Sequence, residues 1–147
     1  MKSSIEYATN LATHYGHRLE RSVVYTQGVA ISGRLRLHDL LPESTNPSAD
    51  IAEIVAEYAN APSDIFSSSD GTANYAGVCW SDELAAATDD GKYTDLIEQV
   101  ADMFGPSLSA GPLDPDVRVE DFFFAATILG RAYLSSGDSK HIDLLTE

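Results

Sequence analysis

The sequence predicts an all-α protein built from antiparallel helix pairs. The alternation of apolar and polar residues that marks a strand occurs only briefly, in RSVVYTQ, whereas apolar residues recur at helical spacing along most of the chain. Three segments share one shape: a small-residue apolar stretch, a polar break, and the start of a second helix. Asp50, Asp95 and Asp143 hold equivalent places in these segments, 45 and 48 residues apart. We therefore expect one all-α domain over residues 1–147.

Seven helices are expected in chain order. The first, over residues 4–19, rests on the apolar stripe formed by Ile5, Ala8, Leu11, Ala12 and Tyr15. The third is expected to begin at Ser48, acting as an N-cap after Pro47, and the sixth to be closed by Gly137. The other expected bounds are 24–41, 48–59, 73–87, 92–103, 119–135 and 139–147.

The helices alternate in character along the chain. The second, fourth and sixth are rich in Gly, Ala, Phe and Leu, as in AGVCWSDELAAA and FFFAATILGRAYL, which predicts burial on nearly all sides. The third and fifth carry one acidic face, which is typical of an outer layer. An inner and an outer ring of helices predict a toroid in which each helix pair is one spoke.

The charge is the strongest bulk signal. Twenty-three acidic residues face nine basic ones, for a formal net charge of −14, and only Lys2, Lys92 and Lys140 are lysines. Such a surface repels nucleic acid and anionic membranes, so neither is expected as a partner. A salt-adapted cytoplasm explains this composition best, because cations screen the self-repulsion; an ordinary acidic protein is the alternative.

Cofactor and redox chemistry find no support in the sequence. The single cysteine, Cys79, is expected to be a small core residue in a reducing compartment. His14, His17, His38 and His141 are scattered without a metal-ligand spacing, and no phosphate loop or dinucleotide fingerprint occurs. The N-terminal stretch has no apolar signal-peptide core. We expect a cytoplasmic protein with no metal and no cofactor.

Four segments resemble a known group of carbohydrate enzymes. DDGKY (89–93) and SGDSKH (136–141) resemble the TGDEKY turn typical of (α/α)6-toroid enzymes. VVYTQGVAISGRLRLHDLL is similar to the WxYxQG helix of glycoside hydrolase families 88 and 105, and VRVEDFFFAATILGRAY to their WxDDLFMAAPFLA helix. The chain departs from the pattern at Val23 and Arg118, where the families have tryptophan, and GPSLSAGPLDPDV lacks the families' histidine.

The resemblance implies a six-hairpin glycosidase-like fold, of which this chain supplies about half of an (α/α)6 toroid. It also implies hydration of the 4,5-double bond of unsaturated uronic sugars in lyase-generated oligosaccharides. That chemistry needs a carboxylic acid that protonates the alkene carbon and activates water. The acids at matching positions are Glu120, Asp121 and Asp70. Acids at a helix start are also a common structural feature, and Asp70-Gly71 also suits a simple turn.

Four further residues are candidates for substrate binding. Arg118 is placed to receive a substrate carboxylate or to neutralise Glu120, while Gln27 and Tyr25 match the YxQ of the family motif. Trp80 suits stacking on a sugar ring or packing in the core. We expect an oligosaccharide substrate, with a homodimer or a C-terminal half-toroid as protein partner. The alternatives are a non-catalytic helical interaction module and another toroid enzyme such as a sugar epimerase.

The charge imbalance predicts that stability depends on salt. In about 1 M KCl the Debye length falls to roughly 3 Å, so repulsion among the acids is largely screened. We expect the midpoint of thermal unfolding, followed by circular dichroism, to rise steadily from low salt to molar KCl. A midpoint that is the same with and without salt would show that the acidic surface is not a salt adaptation.

Overall fold

The structure is a computed structural model that describes residues 3–20, 24–60, 72–104 and 119–146. Within these ranges all regular elements are α-helices, and no strand is present, which confirms the all-α class. The helices, numbered in chain order, are α1 (Ser4–Ala12), α2 (Val24–Leu40), α3 (Ser48–Ile54), α4 (Ala56–Asn60), α5 (Thr72–Ala76), α6 (Ser81–Thr88), α7 (Lys92–Asp102), α8 (Val119–Ser136) and α9 (Lys140–Thr146). None of these helices has the length and apolarity needed to cross a membrane.

The first helix begins as its sequence suggests but ends early. The Ser3 hydroxyl accepts from the Glu6 backbone amide, and the Glu6 carboxylate accepts from the Ser3 amide, forming a capping box. The helix ends at Ala12 instead of continuing to residue 19. Gly16 takes a positive φ of 79°, and the His17 ring donates to the Ala12 carbonyl at 2.9 Å, so the chain turns here.

Two predicted helices are each divided in two. Val55 leaves helical geometry and separates α3 from α4, and a turn over residues 77–80 separates α5 from α6. Ser48 is not the N-cap of α3. The cap position is Pro47, and the backbone amide of Ser48 donates to the Asn46 side chain at 2.9 Å.

The turn between α5 and α6 coincides with a close crossing of two backbones. A Cβ atom added to Gly28 of α2 would overlap the Gly77 carbonyl oxygen and lie 2.8 Å from the Gly77 carbonyl carbon. Only residues without a side chain allow the backbone of α2 to approach the backbone at Gly77 this closely. In this turn, backbone amides donate to the carbonyl three residues earlier, as Cys79 N–H does to Ala76 O at 3.2 Å.

Three helical segments, α2, α5–α6 and α8, run in the same direction. Near their N-terminal ends, the Tyr25 ring of α2 packs against the Phe124 ring of α8, and Thr72 of α5 donates to Asp121 of α8. Further along the same helices, Ser32 of α2 donates to Glu83 of α6. Because early residues contact early residues and late residues contact late ones, the three segments are parallel.

The other helices pack against this parallel set. Helix α7 lies against both α6 and α8, α3 lies against α6, and α9 returns along α8. Gly137, at φ 72°, closes α8 as predicted. Asp50, Asp95 and Asp143 lie in the first turns of their helices, α3, α7 and α9 respectively. The core between the two sets of helices includes Ile31, Ile51, Trp80, Leu84, Leu96, Ile97, Val100, Ile128 and Leu129.

The close approach of Gly28 to Gly77 predicts that a side chain at position 28 lowers the stability of the fold. Gly28→Ala places a methyl group against the Gly77 backbone, and we expect a loss of about 2–3 kcal/mol in the free energy of unfolding. Gly33→Ala is the matched control in the same helix, since nothing lies within 4 Å of its added Cβ. That control should gain about 0.5–1 kcal/mol from helix propensity. Urea denaturation measures both; equal effects would refute the close crossing.

Candidate functional site

The parallel helices bring one of the predicted catalytic acids into contact with a neighbouring helix. The Thr72 hydroxyl, at the first residue of α5, donates to Asp121 Oδ1 at 2.5 Å. Asp121 is the third residue of α8 and is half-buried. This bond joins the starts of two helices that are 49 residues apart in sequence. The N-terminal end of the parallel set is therefore the place where Asp121 is held.

The aromatic run beside the acids is only partly buried. Phe124 is 3% exposed, but Phe122 and Phe123 are 70% and 53% exposed. The expectation that this helix is buried on nearly all sides is therefore wrong at its first turns. The helical turn of 100° per residue sends the three consecutive side chains to different faces, and only Phe124 faces the core. Glu120 is exposed at the surface of this end.

The two residues of the YxQ motif take different places. The Tyr25 ring lies 4.9 Å from the Phe124 ring, centroid to centroid, so it belongs to the same end as Asp121. The Gln27 side-chain oxygen instead accepts from the Glu20 backbone amide at 2.5 Å. Gln27 thereby lines a separate groove of about 560 Å³, between the turn after α1 and the first turns of α2.

The remaining candidates do not join this group. The Trp80 side chain has no exposed surface and packs edge-on against Tyr93, with ring centroids 6.1 Å apart. That placement agrees with the core alternative for Trp80. Asp70 and Arg118 lie outside the described residues, so their predicted roles stay predictions. Cys79 is 2% exposed, which agrees with its expected core role, and burial raises its pKa to about 12.

The structure also shows an ionic cluster that the sequence analysis missed. Arg131 of α8 donates to Asp82 Oδ1 at 2.6 Å and to the Ser32 hydroxyl at 3.3 Å. The same guanidinium lies 3.1 Å from Glu83 Oε1. Glu83 also accepts from Ser32 and from Arg36, both at 2.5 Å. The cluster of Ser32, Arg36, Asp82, Glu83 and Arg131, here called the ionic node, connects all three parallel segments.

Burial sets the electrostatics of the ionic node. The Arg131, Asp82 and Glu83 side chains are only 14%, 22% and 15% exposed. Burial raises the pKa of the Asp82 carboxyl, although the Arg131 charge opposes that shift. Because the folded state holds this proton more tightly than the unfolded chain, the Asp82 contribution to stability is lost as pH rises through its folded pKa. Burial also acts to lower the pKa of Arg131, but attraction to Asp82 and Glu83 outweighs it and raises the pKa.

A groove of about 320 Å³ opens beside the ionic node. Its walls come from the second half of α2, the turn before α3, and α6. The residues that line it are Leu35, His38, Asp39, Asn46, Asp82, Glu83, Ala86 and Ala87. Within the described ranges, no three histidine, cysteine or acidic side chains come together in a way that could hold a metal ion. With Asp82 and Glu83 already bonded to Arg131, the groove offers few free charged groups for chemistry.

One sequence signal pointed toward the node. Asp82, Glu83 and Arg131 are charged residues inside helical stretches that are otherwise apolar, and buried charges must be paired. The identity of the partners could not be read from the chain, because Arg131 is 49 positions away from Asp82 and 99 positions away from Ser32.

No protein-family model, no curated protein and no solved structure matches the chain.

Removing the central cation of the node should cost stability. Arg131→Met leaves Asp82 as a partly buried, uncompensated charge and Glu83 with the exposed Arg36 as its remaining cationic partner, so we expect a loss of about 2–4 kcal/mol in the free energy of unfolding. Arg18→Met is the control, since the Arg18–Glu20 pair is 73% and 50% exposed and should change stability by less than about 1 kcal/mol. If urea denaturation gave both variants the same small loss, the node would not hold the helices together.

Proposed function

We propose that this chain is part of a carbohydrate-active hydrolase of the unsaturated uronyl or rhamnogalacturonyl type. Its helices form about half of an (α/α)6 toroid, with α2, α5–α6 and α8 as inner helices. One observation carries the proposal: the Thr72–Asp121 hydrogen bond lies at the common N-terminal end of these three parallel segments. The motif resemblance points to an acid of α8 at this same end.

The proposed chemistry needs an acid that can give and take a proton. Asp121 is the better candidate of the pair, because it is half-buried and held in place by Thr72, whereas Glu120 is exposed. Asp70 is two positions before Thr72 in the chain and is the proposed second acid. A second carboxylate near the first favours retention of the proton that must be delivered to the alkene carbon.

The same end has features that suit an anionic sugar. The N-terminal ends of α2 and α8 carry the partial positive charge of their helix dipoles, which favours a substrate carboxylate in a protein of net charge −14. The Tyr25 ring, half-buried beside Phe124, offers an apolar surface and a hydroxyl to a sugar ring. Arg118, just before α8, is the proposed partner of the substrate carboxylate.

Activity is tested by the loss of absorbance of the unsaturated uronide band in lyase-generated disaccharides. We expect Asp121→Asn to lower kcat by at least about 100-fold, as the loss of a general acid–base group does, with Glu120→Gln lowering it less. Asp95→Asn is the matched control, because Asp95 is also an acid in the first turn of a helix but lies on α7.

Two results would contradict this assignment. Unchanged rates in both Asp121→Asn and Glu120→Gln would remove the site from this end of the helices. An intact absorbance band after long incubation with the wild-type protein at high salt would remove the hydrolase activity itself. An epimerase would also leave the band intact but would change the sugar's stereochemistry, which nuclear magnetic resonance of the products detects.

A second candidate function is a non-catalytic helical interaction module. The observation that favours it is the exposure of the large apolar side chains Phe122, Phe123 and Leu134 on α8. An inactive protein that still associates through this helix would support the module over the hydrolase.

A further inference from the structure

The large apolar side chains that remain exposed are concentrated at the two ends of the helical array. Among the described residues they all belong to the first helix pair and the last one, and none lies on α3, α4, α5, α6 or α7. The first set, here called the front face, is Ile5, Tyr7, Leu11, Tyr15, Val29 and Leu40. The second set, here called the back face, is Phe122, Phe123, Tyr133, Leu134 and Leu145.

The front face includes a helix, α1, whose side chains all remain at least partly exposed. Helix α1 contains no buried residue, although it carries an apolar stripe. It packs against α2 and leaves a groove of about 370 Å³ between them, lined by Leu11, Tyr15 and Val29 among others. An amphipathic helix with an open apolar side is typical of a surface that another element covers.

The exposure of apolar side chains differs between the middle of the array and its two ends. This difference indicates that the front face and the back face are joints, meaning surfaces that another chain covers. In stacked helix pairs each pair buries its neighbours, and the terminal pairs need polar outer sides to remain soluble. Here the middle pairs are closed, while both terminal pairs present apolar side chains to solvent. Both ends therefore expose apolar side chains where a capping pair would present polar ones.

We propose that two copies of this chain associate head to tail, with the front face of each copy against the back face of the other. A two-fold axis parallel to α2, α5–α6 and α8 creates both joints at once. It also closes the array, so that no apolar end is left over. Three parallel inner segments per copy then become a ring of six. The dimer rests on the ring arrangement of the proposed function, but not on hydrolysis.

The exposed area is sufficient for a stable dimer. Aromatic side chains have about 150–250 Å² of surface each, so eleven large side chains that are mostly half exposed or more present on the order of 1,000 Å² of apolar surface per copy. A standard stable interface buries about 800 Å² per partner. Because each copy carries a charge of −14, we expect association to strengthen with salt.

The faces can be blocked one at a time. Leu11→Glu places a charge in the front face, and Leu134→Glu places one in the back face, where Leu134 is 80% exposed. Gln99→Glu adds the same charge to the exposed middle of α7 and is the control. Sedimentation equilibrium in molar KCl measures the mass of each protein, and circular dichroism checks that each retains its helices.

The head-to-tail arrangement has a distinctive outcome. Wild type and Gln99→Glu should have twice the chain mass, and each of the two face variants alone should be monomeric. An equimolar mixture of the two face variants should regain dimer, because one of its two joints combines an intact front face with an intact back face. A monomeric wild type, or loss of dimer in only one face variant, would overturn the proposal; the latter would mean a dimer that pairs like faces. An inactive wild-type dimer would refute the hydrolase while leaving the dimer in place.

Discussion

The Arg131 guanidinium is the point at which the three parallel helical segments are bonded to one another. It meets Asp82 and Glu83 of α6 and Ser32 of α2 from its own position on α8. Charged groups this poorly exposed must be paired in the folded state, because an unpaired buried charge costs far more than the pair gains. This requirement fixes which turns of the helices face each other. The contacts between the helix starts, Tyr25 with Phe124 and Thr72 with Asp121, then give the three segments a common direction.

The register set at the ionic node determines which side chains meet at the N-terminal end of the helices. Asp121 is ten positions before Arg131, about 15 Å along α8, and Tyr25 is seven positions before Ser32, about 10 Å along α2. Both therefore reach the same N-terminal end, where Tyr25 packs against Phe124 and Thr72 donates to Asp121. Between the two levels, Gly28 and Gly77 let the backbones approach. The proposed site thus depends on contacts that are one to three helical turns away from it.

The sequence predicted correctly those helices whose ends are set by residues close by in the chain. Helices α2, α7 and α8 lie within a residue or two of their expected bounds, because apolar periodicity, Pro42 and Gly137 mark them. The helix ends that were predicted wrongly are set by contacts between distant parts of the chain or by the conformation of a turn. The break before α6 accompanies the approach of Gly77 to Gly28, and α1 stops where Gly16 turns the chain. At the site, the motif pointed to Asp121 and Tyr25, but the ionic node could not be predicted, since its partners are distant in sequence.

We propose that ligand binding takes place at the N-terminal end of the parallel helices and not in any of the three side grooves. Amide chemical shifts recorded while an unsaturated uronic disaccharide is titrated into the protein test this directly. We expect shifts concentrated at Tyr25, Thr72 and Asp121, in the first turns of α2, α5 and α8. Shifts confined to the groove of Asp39 and Asp82, or to the turn around Gly16, would contradict it.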